Sequence, residues 1–166
     1  CHAVPGAWCV FGCMLSAGGS LAWLRDTLWP EQVSAIRGAG GDPGRLYPAI
    51  IEEAERVSPG GDGLLFLPYL TGERCPYADP RARGAFVGLA AAHRRGHLVR
   101  AVLEGVTFGL RDQLELMRSA GVMVSRIRVG GGGSASPFWR QLQADVFNVP
   151  IATTATGEGA AFGAAL

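Results

Sequence analysis

Apolar side chains recur at helical spacing most clearly between residues 97 and 120, which predicts one long helix. The positions that share its apolar side are Leu98, Val102, Val106, Leu110, Leu114 and Met117. Two ion pairs four residues apart are expected along it: Arg100 with Glu104, and Arg111 with Glu115. Gly121 suits the position just after its C-terminus.

Three shorter helices follow from the same pattern and from their capping residues. Residues 21–28 form one, with Ser20 as N-cap and Pro30 as its stop. A second covers residues 47–57, whose apolar stripe is Ile50, Ile51, Ala54 and Val57. The third covers residues 138–147, after Ser136 as N-cap and Pro137 as the first helical residue.

Four apolar or alternating runs predict strands. Residues 8–15 are expected to form a buried strand, and residues 64–67 a strand covered on both faces. Two short strands are expected at residues 125–129 and 149–153. A final Gly- and Ala-rich helix is expected after Thr156. Because strands and helices alternate, the fold class is α/β, with helices packed on a sheet.

Composition narrows the class of protein further. Charged residues make up 17% of the chain, against a usual ~25%, so part of its surface is expected to pack on the remainder of a larger protein. The net charge of +1 and the lack of a long apolar run favour neither a nucleic-acid surface nor a membrane span. Both ends of the chain look cut, and no signal peptide is recognisable.

Four cysteines are spread without a Cys-x-x-Cys motif: Cys1, Cys9, Cys13 and Cys75. We expect reduced thiols in a cytoplasmic protein, with a disulfide or zinc site as the alternative.

Four consecutive glycines, residues 130–133, stand between a predicted strand and a predicted helix. Without side chains, this turn lets a flat ligand or a phosphate approach bare backbone, and the helix start adds free N–H groups. The alternatives are a flexible loop and a turn that needs positive φ. A dinucleotide fingerprint also fits formally, as Gly130-x-Gly132-x-x-Ala135 with Glu158 for the ribose. That fingerprint belongs at a first βα turn, whereas only one predicted strand follows here.

Three stretches together carry a family resemblance, and they cover nearly the whole chain. They are residues 15–26, residues 66–89 and the glycine turn continued to Asp145. Within the second, Gly84-x-Phe86-x-Gly88-Leu89 is followed after seven residues by the start of the long helix. In order and spacing these stretches resemble the FGGY carbohydrate kinases. The opening residues 2–6 and residues 15–20 are most similar to the xylulokinase branch of that family.

The resemblance implies a ribonuclease-H-like, actin-like ATPase fold in two domains, with sugar and ATP in the cleft between them. Residues 1–166 would be most of the second, C-terminal nucleotide-binding domain, and the N-terminal sugar-binding domain would be absent. Gly18 matches a glycine that lines the nucleotide phosphates. The residues that match the adenosine-receiving segment are Gly131, Gly132, Gly133, Ser134 and Ser136. Ala22 and Ser136 stand where glycerol kinases carry glutamine and asparagine, so the chain departs from that branch.

The implied reaction transfers the γ-phosphoryl group of ATP, with Mg²⁺, to a ketopentose, D-xylulose being the first candidate. In the family the catalytic aspartate and the Asp-x-Gly-Thr loop lie upstream of this region. The resemblance therefore implies that this chain has no catalytic residue and no metal ligand and should be inactive alone. Ribulose, rhamnulose, gluconate and glycerol are alternative substrates, and a non-catalytic nucleotide-binding module is an alternative function. A homodimer is one possible state.

Other polar and aromatic residues are assigned less specific roles. Asp26 and Asp145 are expected to be solvated or structural. Five charged residues of the long loop 68–88 either reach the cleft or hold the loop by ion pairs: Glu73, Arg74, Asp79, Arg81 and Arg83. The four tryptophans are expected in the core rather than on a sugar-stacking platform: Trp8, Trp23, Trp29 and Trp139.

Overall fold

The computed structural model describes residues 5–153. The predicted cap and helix after Thr156, together with Cys1 and Glu158, lie outside the described residues. Helices α1, Ala17–Leu28, and α2, Pro30–Gly38, follow each other almost directly. Pro30 ends the first helix as predicted, and it also begins the second, which the sequence pattern did not predict.

Helix α1 begins four residues before the predicted start. Ser16, not Ser20, occupies the N-cap position. Ser20 is fully buried inside the helix, and its hydroxyl donates to the Ser16 carbonyl one turn earlier. Because a serine inside a helix can satisfy its hydroxyl on the preceding turn, its presence did not mark the helix end here.

Helices α3, Tyr47–Glu55, and α4, Arg95–Ser119, confirm the two helical patterns. Ile50, Ile51 and Ala54 are buried as predicted. Just after α4, Gly121 has a φ of 85°, and this left-handed residue lets the Val122 N–H bond back to the Met117 carbonyl.

Two short strands pair as an antiparallel hairpin: β1, Leu65–Leu67, and β2, Ala85–Val87. The strand at β1 was predicted, but the prediction that both of its faces are covered was wrong. Phe66 is buried against α4, whereas Leu65 and Leu67 are 52% and 42% exposed. The cause is the period of two along a strand: α4 covers one face, and nothing in the described residues covers the other.

Strands β3, Ile127–Val129, and β4, Ile151–Thr153, pair in parallel and are joined by α5, Pro137–Phe147. This strand–helix–strand unit confirms the prediction for the region. The expected capping is present too, because the Ser136 hydroxyl oxygen accepts a hydrogen bond from the Trp139 N–H at 3.1 Å.

The expected strand at residues 8–15 is not formed. The segment is irregular, and its large side chains face outward, with Trp8 80% and Phe11 73% exposed. Apolar composition favours a strand only when a partner strand supplies hydrogen bonds and cover. None is offered to this segment within residues 5–153.

The core is centred on α4, which is buried on every side from Val99 to Thr107. Residues from α1, α3, β1 and α5 complete one cluster around it, including Leu24, Ile50, Phe66 and Trp139. None of the helices in the described part of the chain is long and apolar enough to cross a bilayer.

A buried ion pair ties this core to the loop after α3. Arg100 donates to Glu104 at 2.5 Å, and both side chains are less than a tenth exposed. Glu104 also accepts from the Gly60 N–H at 3.0 Å, and Arg100 donates to the Val57 carbonyl at 3.3 Å. The pair was predicted. Because both side chains are buried, removing one partner costs more stability than it would in a surface pair.

We expect Glu104→Leu to lower the free energy of unfolding by about 3–5 kcal/mol, because Arg100 would keep a buried charge without its partner. The matched control is Glu52→Leu on α3, which breaks the exposed pair with Arg56 at the same spacing and should cost only about 0.3–0.5 kcal/mol. Urea unfolding of the two variants measures the difference. Equal losses would mean that the buried pair is no stronger than the surface one.

A second pair joins α1 to α2 and depends on pH. Asp26 accepts hydrogen bonds from Arg25 at 2.7 Å and from Arg37 at 2.8 Å. Burial opposes ionisation, but the hydrogen bonds and charges of these two arginines outweigh it and hold the pKa of Asp26 below its ordinary value. The pair is thus structural, as predicted.

Because the folded pKa is depressed, the stability that Asp26 contributes is present above its unfolded pKa of about 4 and is lost as the pH falls below it. Asp26→Asn should therefore flatten the fall in unfolding free energy between about pH 5 and about pH 3. Glu55→Gln, at an exposed position on α3, is the control. Denaturant titrations across this pH range measure the unfolding free energy of each protein. If it falls equally steeply with pH in the wild type and in Asp26→Asn, Asp26 has no pH-dependent role in stability.

Candidate functional site

The glycine turn after β3 is built from backbone geometry that side chains would spoil. Gly131 has a φ of 73°, and residues Gly132–Ser134 form one turn of 3₁₀ helix before α5 begins. The Ser134 hydroxyl donates to the Gly131 carbonyl at 2.8 Å and closes the turn from inside. Only at Gly131 does the conformation itself require glycine.

The space outside the turn is open. A Cβ atom placed on Gly130, Gly131 or Gly132 would meet nothing within 4 Å, whereas one on Gly133 would lie 3.1 Å from the Trp139 ring. The first three glycines therefore keep backbone exposed without any packing need. The fourth permits the turn to lie against α5. This difference favours a ligand over a purely structural turn.

An open pocket of about 350 Å³ is lined by residues of α4, β3, α5 and the glycine turn. Its lining is mostly apolar and includes Leu110, Leu114, Met117, Ile127 and Phe147. Gly130, Gly133 and Ser134 of the turn also line it. Gln113 and Gln143 add polar groups. Apolar walls with a few polar groups are typical of small-molecule sites.

The start of α5 adds hydrogen-bonding groups beside the turn. The Ser136 oxygen accepts from the Trp139 N–H, which leaves the Ser136 hydroxyl hydrogen available to another acceptor. Arg140 donates to the Ser134 and Ala135 carbonyls, so it braces the turn from the helix side. The Trp139 indole is held in turn by the Thr107 hydroxyl of α4 at 3.1 Å.

The start of α1 is the other predicted contact region. Gly18 and Gly19 lie exposed in its first turn, and a Cβ atom placed on either glycine would meet nothing within 4 Å. No side chain of the described residues caps this helix. Its first N–H groups therefore stay free for an anion, aided by the positive end of the helix dipole.

The fold brings the two predicted regions onto one core. Ala17, next to Gly18, and Trp139, in the first turn of α5, pack in the same hydrophobic cluster. The Ser16 hydroxyl is not a cap, because it pairs with the Thr71 hydroxyl of the long loop at 2.9 Å. This tie was not predicted, and two hydroxyls 55 residues apart give no sequence signal.

The charged residues of the long loop fit the two predicted roles only in part. The Asp79 Oδ1 atom lies 3.8 Å from the Arg81 Nε atom. Arg83 donates to the Pro80 and Ala82 carbonyls, so these three charged residues hold the loop. Glu73 turns inward and is 3% exposed, whereas Arg74 beside it faces solvent. Sequence reasoning considered Glu73 only for an ion pair or the cleft, but its partners are backbone N–H groups.

Two of the four tryptophans lie in the core, as predicted. Trp29 and Trp139 are 6% and 5% exposed. The expectation was wrong for Trp8 and for Trp23, which is 40% exposed and stacks on Phe66 with ring centroids 6.3 Å apart. The three cysteines within the described residues are free thiols: Cys9, Cys13 and Cys75.

The chain is similar to known proteins of one family. The family model for the C-terminal domain of the FGGY family of carbohydrate kinases matches residues 2–166. A xylulose kinase of Staphylococcus epidermidis is 39% identical over 165 residues, which are 99% of this chain and 31% of that protein. A gluconokinase of Bacillus licheniformis is 37% identical over 168 residues, 100% of this chain and 32% of its own length.

Solved structures give the same result. A xylulose kinase from Brucella ovis superposes with a TM-score of 0.75 at 40% identity, covering 93% of this chain and 29% of that one. The glycerol kinase of Plasmodium falciparum with ADP reaches a TM-score of 0.74 at 26% identity, covering 93% of this chain and 28% of that one. The chain belongs to the FGGY family of carbohydrate kinases.

Membership confirms the expected fold, the ribonuclease-H-like, actin-like ATPase fold, and it excludes the dinucleotide-dehydrogenase interpretation of the glycine turn. The chain spans about a third of the length of the curated relatives it matches. The open turn leaves room for a small ligand against the bare backbone of Gly130, Gly131 and Gly132. The described residues contain no group of three His, Cys, Asp or Glu side chains that could hold a metal ion.

Proposed function

We propose that this chain is the nucleotide-binding part of a protein that phosphorylates a ketopentose, D-xylulose, with ATP and Mg²⁺. The observation that carries the proposal is the open turn of Gly130, Gly131 and Gly132, whose bare backbone has no packing role. The xylulose kinases among the relatives support the substrate. Mg²⁺ is expected on the nucleotide phosphates, since it commonly keeps few protein ligands.

In this proposal the two helix starts divide the nucleotide between them. The adenosine lies against residues 131–134 and Ser136, and the phosphates lie at the first turn of α1, beside Gly18. The chain's own contribution is binding and orientation: it excludes water from one side of the nucleotide and offers N–H donors to negative charge. Phosphoryl transfer depends mostly on such positioning and charge stabilisation. The sugar and the general base belong to the N-terminal domain.

Gluconate is the second candidate substrate, because a gluconokinase is nearly as similar to this chain as the xylulose kinases are. Both substrates would leave the nucleotide side unchanged. Residues outside this chain that contact the sugar would distinguish D-xylulose from gluconate.

The nucleotide site is tested at Gly132, where a side chain would enter open space and φ is not in the left-handed region. Gly132→Val should keep the fold and weaken binding of ADP by at least about tenfold, or about 1.4 kcal/mol, because the methyl groups occupy the space proposed for the adenosine. Gly131 is less suitable, since its φ of 73° would strain any substitute.

Gly38→Val is the matched control, because Gly38 also has nothing within 4 Å and lies at the end of α2. Calorimetric titration of the full-length protein with MgADP, after circular dichroism of each variant, measures the effect. Unchanged ADP affinity in a folded Gly132→Val variant would remove the adenosine from this turn.

The reaction is tested by supplying the full-length protein with MgATP and, in turn, D-xylulose, D-ribulose, gluconate and glycerol, and measuring ADP release. We expect D-xylulose to give the highest kcat/KM by at least about tenfold, a difference of about 1.4 kcal/mol in transition-state binding. Residues 1–166 alone should show no turnover. A preference for gluconate would select the second candidate, and ADP binding without turnover on any sugar would indicate a non-catalytic module.

A further inference from the structure

The carboxyl group of Glu73 is buried, whereas Arg74 beside it in the long loop faces solvent. One oxygen, Oε1, accepts from three backbone N–H groups: Leu15 at 3.4 Å, Arg74 at 2.6 Å and Cys75 at 3.3 Å. The other oxygen, Oε2, is the one buried side-chain nitrogen or oxygen atom of residues 5–153 without a hydrogen-bond partner. A buried carboxyl oxygen without a hydrogen-bond partner costs free energy, which is more than the holding of a turn requires.

Two of the three N–H groups belong to the loop itself, but the third does not. Leu15 directly precedes Ser16, the N-cap of α1, and is 58 residues away from Glu73 in sequence. The Ser16 and Thr71 hydroxyls add a second tie between the same two segments. The loop is anchored on its other side by α4, where the Gln113 amide donates to the Cys75 carbonyl at 3.1 Å.

This arrangement fixes the start of α1 without using its free donors. Glu73 bonds to the N–H of Leu15, which lies before the helix, while the N–H groups of the first helical turn stay unpaired. A carboxylate that bonded to the first turn itself would compete with an anion there. Glu73 instead contacts the backbone just before the turn that carries Gly18.

We propose that Glu73 is a positioning residue for the nucleotide phosphates, acting through the backbone of residues 15–18. The inference rests on the proposed function, since it assumes that the first turn of α1 binds those phosphates. Its substitution should therefore affect the nucleotide and not the sugar. A purely structural residue would lower stability and kcat without separating the two substrates.

The test compares Glu73→Leu, Glu73→Gln and the surface control Glu52→Leu in the full-length protein, by steady-state kinetics with MgATP and the preferred sugar. Glu73→Leu should raise the KM for MgATP by at least about tenfold and leave the KM for the sugar within about twofold. Glu73→Gln keeps an acceptor oxygen at the same place, so it should recover most of the loss. The control should match the wild type.

Thr71→Val provides a variant that conserves shape, in case Glu73→Leu does not fold. It removes only the hydroxyl tie to Ser16, and it should raise the KM for MgATP in the same direction by a smaller factor. Equal KM values for MgATP in the wild type and every folded variant would overturn the role of Glu73. A wild type without phosphoryl transfer would instead overturn the proposed function.

Discussion

Helix α4 is the constraint on which the rest of the structure depends, because it is buried on all sides from Val99 to Thr107. Two glycines make this possible. A Cβ atom on Gly105 would lie 2.2 Å from the Phe66 carbonyl oxygen, and one on Gly96 would lie 2.4 Å from the Glu53 carbonyl oxygen. The backbone of β1 and the end of α3 can therefore approach the helix more closely than side chains would allow. The buried Arg100–Glu104 ion pair also holds the loop after α3 on the same helix.

The candidate site follows from that packing. Thr107 on α4 holds the Trp139 ring, and the ring supports Gly133 at the edge of the glycine turn. On the other side, Gln113 of α4 holds the loop that carries Glu73, and Glu73 holds the backbone before α1. The two helix starts that leave free N–H groups are thus both supported from one buried helix. Such support by packed elements is what a binding geometry needs.

Sequence reasoning succeeded where the physical cause is local. The period of α4, the cap of α5 by Ser136 and the left-handed end at Gly121 depend on residues within a turn or two of each other. It failed where the cause is distant. The apolar run at residues 8–15 was expected to be a strand, and the described residues offer it no partner. Leu65 and Leu67 were expected to be covered, but α4 reaches only the face that carries Phe66.

The sequence by itself determined the class of this protein, because the three motif stretches are long and specific enough to indicate the family. It also determined where the backbone is left bare, since four successive glycines carry no side chains. Only the tertiary structure decided which of those glycines faces open space and which one packs on Trp139. It alone decided that the carboxylate of Glu73 faces inward. Both outcomes depend on contacts between segments far apart in the chain, and the spacing of residues along one segment carries no information about them.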